Sequence, residues 1–160
     1  TVIAYEQPVW FIKGQPPETF TVTQPFTLLI ADSGVASPTR ETVAAVRRAW
    51  QKEPERYERL FDAMGEIARA ARRAIERGDP AALGPLMQEN QRLLRAIGVS
   101  TPRLEQLIAG ALEASAAGAK LSGGGGGGNI IALVEPATTE EVRAALEKAG
   151  AARVLTTVVG

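Results

Sequence analysis

Two rhythms of apolar positions run through this chain, and they divide it into strands and helices. Phe26–Ala31 is an apolar run of strand length, the pattern of a buried central strand. From Val43 the spacing becomes helical. Val43, Val46 and Trp50 predict one helix, and Tyr57, Leu60, Phe61, Met64, Ile67, Ala68, Ala71 and Ile75 form the stripe of a longer one. Leu83, Leu86, Met87, Leu93, Leu94 and Ile97 mark another, as do Leu104, Leu107, Ile108, Ala111 and Leu112. A short strand around Ala119–Leu121, a strand at Asn129–Val134, a helix carrying Val142, Ala145 and Leu146, and a last strand at Val154–Val159 complete the order.

Capping residues sharpen these boundaries. Ser37 is a candidate N-cap with Pro38 at the first helical position, where a missing N–H costs nothing. Gly78 and Asp79-Pro80 stop one helix and start the next, Thr101-Pro102 caps another, Thr138 and Glu141 suit a capping box, and Gly150 closes the last helix. Before Phe26, the apolar residues of Thr1–Ile12, interrupted by Gln7-Pro8, suggest two short strands, followed by a Gly14–Glu18 loop and an extended piece at Phe20–Thr23. With the central helices counted as one layer, the chain from Phe26 reads β-α-β-β-α-β. The expectation is an α+β, ferredoxin-like fold: a split β-α-β antiparallel sheet with an expanded helical layer on one face, preceded by a short β-hairpin. Residues 1–24 are expected to be a strand pair left from a preceding domain, and residues 25–160 one domain.

Composition then removes several chemistries. The chain has 160 residues, 45% of them hydrophobic, and a formal net charge of zero, so no global field draws it to nucleic acid or to an acidic membrane. It contains no cysteine and no histidine, which excludes disulfides, thiolate chemistry, Cys/His zinc sites and a Ser-His-Asp triad within this sequence. Neither a membrane-length apolar run nor a signal-peptide layout is present, and a cytoplasmic location is expected. The arginines at 56, 59, 69, 72, 73 and 77 are interspersed with Glu55, Glu58, Asp62, Glu66 and Glu76, the mark of a solvated helix face rather than a nucleic-acid surface.

Three places carry candidate chemistry. Between the central strand and the first helix, Ser33, Thr39 and Arg40 could offer donors to a carboxylate or phosphate at a helix N-terminus, or the segment could simply cap a surface helix. Asn90 falls on the core-facing side of its helix, where it must either tie down a neighbouring backbone or face a wet cleft. The third place is Gly118–Asn129, in which Ser122 is followed by six consecutive glycines. A flexible linker is the plain reading, but core elements abut both ends. The run precedes a strand rather than opening a helix, so the dinucleotide fingerprint fails, and no Gly-Lys-Ser/Thr closes it as a Walker loop would require. A tight loop able to cradle anionic oxygens remains.

The segment Gly118-Ala119-Lys120-Leu121-Ser122 with Gly123–Gly128 resembles the C-terminal glycine motif of the GHMP small-molecule kinases, close to its form in mevalonate kinases. Leu29–Val35 with Pro38-Thr39-Arg40 is similar to the start of that family's second domain, and Asn90-Gln91 through Ser100 resembles the helix-to-loop stretch before the glycine motif. The resemblance implies ATP- and Mg²⁺-dependent phosphorylation of a small alcohol, for mevalonate its 5-hydroxyl in isoprenoid synthesis. Phosphomevalonate and homoserine kinases are alternatives within the family, and a non-catalytic ligand-sensing module is the alternative outside it. By this similarity Ser122 and Gly123, Gly124, Gly125, Gly126, Gly127 and Gly128 form the phosphate-side wall of an active site, while Ser33 and Thr39 approach the substrate. Gly124 stands where many mevalonate kinases have alanine, and Asn129 where many have cysteine. The family's phosphate loop and catalytic Asp lie upstream of anything matched here. The resemblance therefore implies a C-terminal portion, inactive alone, that needs its N-terminal domain; a homodimer is possible. Val9, Trp10 and Phe11 are expected to be exposed and to pack on that domain.

Overall fold

The structure is a computed structural model and describes residues 7–160. Its centre is a four-stranded sheet: β3 (Phe26–Asp32), β4 (Gly118–Ser122), β5 (Asn129–Val134) and β6 (Arg153–Val159), in the spatial order β4-β5-β3-β6. All three pairings are antiparallel, with Leu29 opposite Ala132 and Thr156, and Leu121 opposite Ile130. This is the split β-α-β order predicted from the sequence, with the apolar run Phe26–Ala31 in an inner position.

Alternation along the strands gives the sheet two faces, and they are covered differently. Leu29, Ala31, Ala119, Leu121, Ile130 and Ala132 point to a face sealed by Leu104, Leu107, Ile108 and Ala111 of helix α4 (Pro102–Glu113) and by Val142 and Leu146 of helix α5 (Thr139–Lys148). The opposite face carries Phe26, Leu28, Ile131 and Leu133. It is reached only in part, by Ala71, Ala74 and Ile75 of helix α2 (Pro54–Glu76) and by Leu83 and Met87 of helix α3 (Leu83–Ala96). The expanded helical layer therefore does not stay on one face, as expected, but wraps around the β4 edge. Backbone contact permits this: a Cβ on Gly84 of α3 would sit 2.3 Å from the Ala117 carbonyl oxygen. No larger residue fits between that helix and that strand.

Helix α1 (Thr39–Lys52) follows β3 through Ser33–Pro38, with Val46 packed on the core and Val43 54% exposed. Glu53 alone separates it from α2, which opens on Pro54. Asp79 caps the short 3₁₀ turn Pro80–Ala82 through the Ala82 N–H, Thr101 accepts the Leu104 N–H, and Gly150, at φ +87°, closes α5, as the sequence predicts. The capping box at Thr138 does not form. The Thr138 hydroxyl donates instead to the Glu135 carbonyl, and its helix starts without a side-chain cap.

The N-terminal hairpin also differs from its prediction. Strands β1 (Val9–Trp10) and β2 (Glu18–Thr19) pair across the Gly14 loop, so the partner of the Val9 strand comes from later in the chain; a strand before Gln7 lies outside the described residues. Trp10 is not bare. The Arg72 guanidinium sits over its ring at 5.3 Å and over the Phe20 ring at 5.5 Å, and it pairs with Glu18 and Glu76. Phe11 is exposed as expected. On the arginine-rich helix, Arg56 and Arg69 pair with Glu53 and Glu66, so these cations are balanced locally. Among the described residues no helix is long and apolar enough to cross a membrane.

Candidate functional site

The site forms where three connections meet at one end of the sheet: Ser33–Pro38 after β3, Val99–Thr101 between α3 and α4, and the glycine loop between β4 and β5. Each side of the glycine loop is held by backbone. The Gly126 N–H donates to the Val99 carbonyl at 2.8 Å, the Gly128 N–H to the Val35 carbonyl at 2.8 Å, and the Ser33 N–H to the Gly128 carbonyl at 2.9 Å.

Glycine is required here for two separate reasons. Gly123, Gly125, Gly126, Gly127 and Gly128 all have positive φ, which other residues adopt only with strain. Neighbours also press close. A Cβ at Gly125 would lie 2.4 Å from the Val99 carbonyl oxygen, and one at Gly127 would lie 2.7 Å from the Ala36 carbonyl oxygen. The run is thus a packed strand-to-strand turn, with no linker character. Because Gly126 and Gly128 already donate inside the protein, an anion nest is left to the N–H groups of Gly123, Gly124, Gly125 and Gly127. Gly123 borders open space, with nothing within 4 Å of its missing side chain.

The structure brings the predicted site residues together but distributes their tasks unevenly. Ser33 is 4% exposed, and its hydroxyl accepts the Val35 N–H at 3.2 Å, so it braces the turn beneath the loop. Thr39 is exposed and faces Gly124, where a Cβ would come 2.8 Å from its methyl carbon. Ser122 is half-buried at the entry to the loop. Ser37 is not the N-cap that its position suggests. Pro38 takes that place, and the Ser37 hydroxyl reaches across to donate to the Gly125 carbonyl at 2.7 Å. The first turn of α1 is largely self-satisfied, since the Glu41 and Thr42 N–H groups both donate to the Pro38 carbonyl. That reduces what its N-terminus can offer an anion.

The buried amide is Gln91, and Asn90 is half-buried at a small apolar pocket with Lys120, Ile67 and Met87. Gln91 is 2% exposed and fully used: its Nε2 donates to Ser100 Oγ at 2.9 Å and to Glu105 Oε1 at 2.8 Å, while its Oε1 accepts the Leu121 N–H at 2.9 Å. Arg95 completes the cluster with a two-toothed contact to Glu105, at 3.0 and 2.5 Å. Hydrogen bonds from Arg95, above all, and from Ser100 and Gln91 hold the Glu105 carboxyl below its ordinary range. Lys120 Nζ donates to the Leu121 carbonyl at 2.6 Å, and burial pushes its ammonium below the usual lysine range. On the free edge of β4, side chains thereby cover the backbone groups of Leu121, with Gln91 on its N–H and Lys120 on its carbonyl.

Arg103 is a further organiser that sequence reasoning missed. Its guanidinium donates to the Ser33 and Ala149 carbonyls at 3.3 and 2.7 Å and to the Gly150 carbonyl, tying the β3 exit to the end of α5. No spacing signal could have found it, because its partners are backbone atoms distant in the chain. Among the described residues no group of three or more acidic side chains is arranged to hold a metal ion.

Comparison with known proteins identifies relatives of the whole chain. Residues 71–152, just over half of the 160, match the family described as GHMP kinases C terminal. The mevalonate kinase of Pyrococcus abyssi is 38% identical over 136 residues, covering 82% of this chain and 40% of that protein. The mevalonate kinase of Thermococcus sibiricus is 34% identical over 163 residues, covering 99% of this chain and 48% of that protein. The crystal structure of L. major mevalonate kinase in complex with R-mevalonate superposes with a TM-score of 0.88 at 30% identity, over 94% of this chain and 48% of that one. The chain therefore spans less than half the length of these relatives. With its split β-α-β sheet and its glycine turn locked between Val35 and Val99, the chain belongs to the GHMP kinase C-terminal family.

Proposed function

We propose that this chain is the C-terminal half of an ATP-dependent kinase that phosphorylates mevalonate at its 5-hydroxyl. The observation that carries the reading is the likeness, over nearly the whole chain, to a mevalonate kinase solved with R-mevalonate. The site supports it physically. Phosphoryl transfer is catalysed chiefly by positioning and by charge stabilisation, and a turn locked by backbone bonds is a rigid wall against which phosphates and alcohol can be set. ATP supplies the γ-phosphoryl group that ends on the alcohol oxygen, releasing ADP and the hydroxyl proton.

The residues of this half then have distinct duties. The open side of the turn, at Ser122, Gly123 and Gly124, fits the oxygen-rich end of a nucleotide, since Gly123 has free space beside it. Thr39, exposed opposite Gly124, orients the alcohol, and buried Ser33 holds the segment that carries it. The phosphate loop, the catalytic Asp and the Mg²⁺ ligands are assigned to an N-terminal domain, of which the β1–β2 hairpin before residue 25 is the near edge.

The test compares the complete polypeptide with this chain alone, following ADP release with mevalonate, phosphomevalonate and homoserine. Turnover of mevalonate by the complete polypeptide and none by the isolated chain is expected. Turnover by the chain alone would sink the half-site reading, and preference for another alcohol would reassign the substrate.

A further inference from the structure

We infer that Gln91 is a positioning residue for the reaction, one that sets the glycine turn through both of its supports; this rests on the kinase reading above. The turn is entered from Leu121-Ser122 and rests at its tip on the Val99 carbonyl. Gln91 grips both places at once. Its Oε1 holds the Leu121 N–H, one residue before Ser122, and its Nε2 holds Ser100 Oγ, one residue after Val99. Its second Nε2 hydrogen goes to Glu105, which Arg95 fixes in turn.

A carboxamide is the group this place needs. It must accept from one backbone amide and donate twice, and no buried side-chain nitrogen or oxygen among the described residues is left without a partner. The turn itself has little slack, because Gly125 and Gly126 are already in contact with Val99. A shift of either support therefore passes into the turn. Displacements of about 1 Å at such a wall cost about 100-fold in rate.

The experiment uses the complete polypeptide with three variants. Q91M removes every polar contact at similar volume. Q91E keeps the acceptor for Leu121 but sets a second carboxylate against Glu105. The double variant Q91E/E105Q restores a donor–acceptor pair with the polarity reversed, at the loss of the Arg95 Nε bond, which shares the Glu105 Oε1 acceptor, while Arg95 Nη2 keeps its own. Positioning predicts that kcat of folded Q91M falls about 10- to 100-fold with KM for the alcohol unchanged, the pattern of an interaction that matters mainly in the transition state. It also predicts that Q91E recovers relative to wild type as pH falls and the introduced carboxylate gains a proton, and that the double variant exceeds Q91E at neutral pH without reaching wild type, since one Arg95 contact is lost. Wild-type kcat in folded Q91M, or a flat Q91E to wild-type ratio across pH, would overturn the inference. Loss of folding in all three would also overturn it, since Gln91 would then serve stability alone. If the wild-type polypeptide phosphorylates none of the alcohols, the kinase reading fails by itself. The positioning claim is then decided by amide exchange at Gly126, which Q91E accelerates if Gln91 holds the turn and leaves unchanged if it does not.

Discussion

The Ser37 hydroxyl donates to the Gly125 carbonyl at 2.7 Å, joining two segments 88 positions apart. The bond couples the entry of α1, and with it Thr39, to the tip of the glycine turn. Ser37→Ala removes the donor and leaves the carbonyl facing a methyl group. The expected loss is about 0.5–1.5 kcal/mol, the usual net worth of one such bond. Urea unfolding of the chain measures it, and an unchanged midpoint would show that the bond adds nothing in solution.

Two glycines of the turn separate conformational strain from crowding. Gly123→Ala meets no neighbour and carries only the cost of a left-handed residue, about 1–2 kcal/mol. Gly125→Ala carries a similar strain and also drives a Cβ to 2.4 Å from the Val99 carbonyl oxygen, adding about 1–3 kcal/mol of overpacking. The second variant should unfold at clearly lower urea than the first. Equal midpoints would mean that the Val99 contact relaxes freely.

Gly124 is the exception within the run. Its φ is not positive, and the atoms that a Cβ would meet belong to the Thr39 side chain, with Cγ2 at 2.8 Å and Oγ1 at 3.0 Å. A side chain can rotate where a carbonyl cannot, so Gly124→Ala should leave stability within about 0.5 kcal/mol. Rotation of Thr39 would move the group assigned to orient the alcohol. In the complete polypeptide, KM for mevalonate should change while the urea midpoint does not; a changed midpoint with constant KM would contradict this division.

The sequence made the order of elements legible because each core strand and helix keeps one period throughout. It also marked the glycine run as a tight turn, since six glycines between two strands must be bent sharply. What it did not disclose follows from contacts with two partners at once. Helix α3 packs on α2 and also along the β4 edge, so a single-stripe reading selected Asn90, whereas the Gly84, Met87 and Gln91 line that meets the rest of the fold buried Gln91 instead. Ser37 has the residue type and position of a cap, yet its hydroxyl is claimed by Gly125, a competitor that local pattern cannot reveal. Thr138 likewise turns back to the Glu135 carbonyl. The wrap around β4 depends on Gly84 facing Gly118, a pairing visible only once the two meet.

Lys120 provides a pH test of how the β4 edge is closed. Its ammonium is held among Ile67, Met87 and Asn90 with the Leu121 carbonyl as acceptor, and burial lowers its pKa in the folded state. A lowered folded pKa means that the unfolded chain binds the proton more tightly, so stability rises with pH between the lowered value and the ordinary lysine value of about 10.4. Below that window the charged form bears the cost of desolvation, offset in part by its hydrogen bond. Lys120→Met removes both the cost and the bond. The wild-type unfolding free energy should climb across the window relative to that of the variant, and the two should be close at neutral pH, as expected when an apolar group replaces a buried charge. A constant difference between them from neutral to alkaline pH would show that Lys120 keeps its ordinary pKa and that its ammonium reaches water in solution.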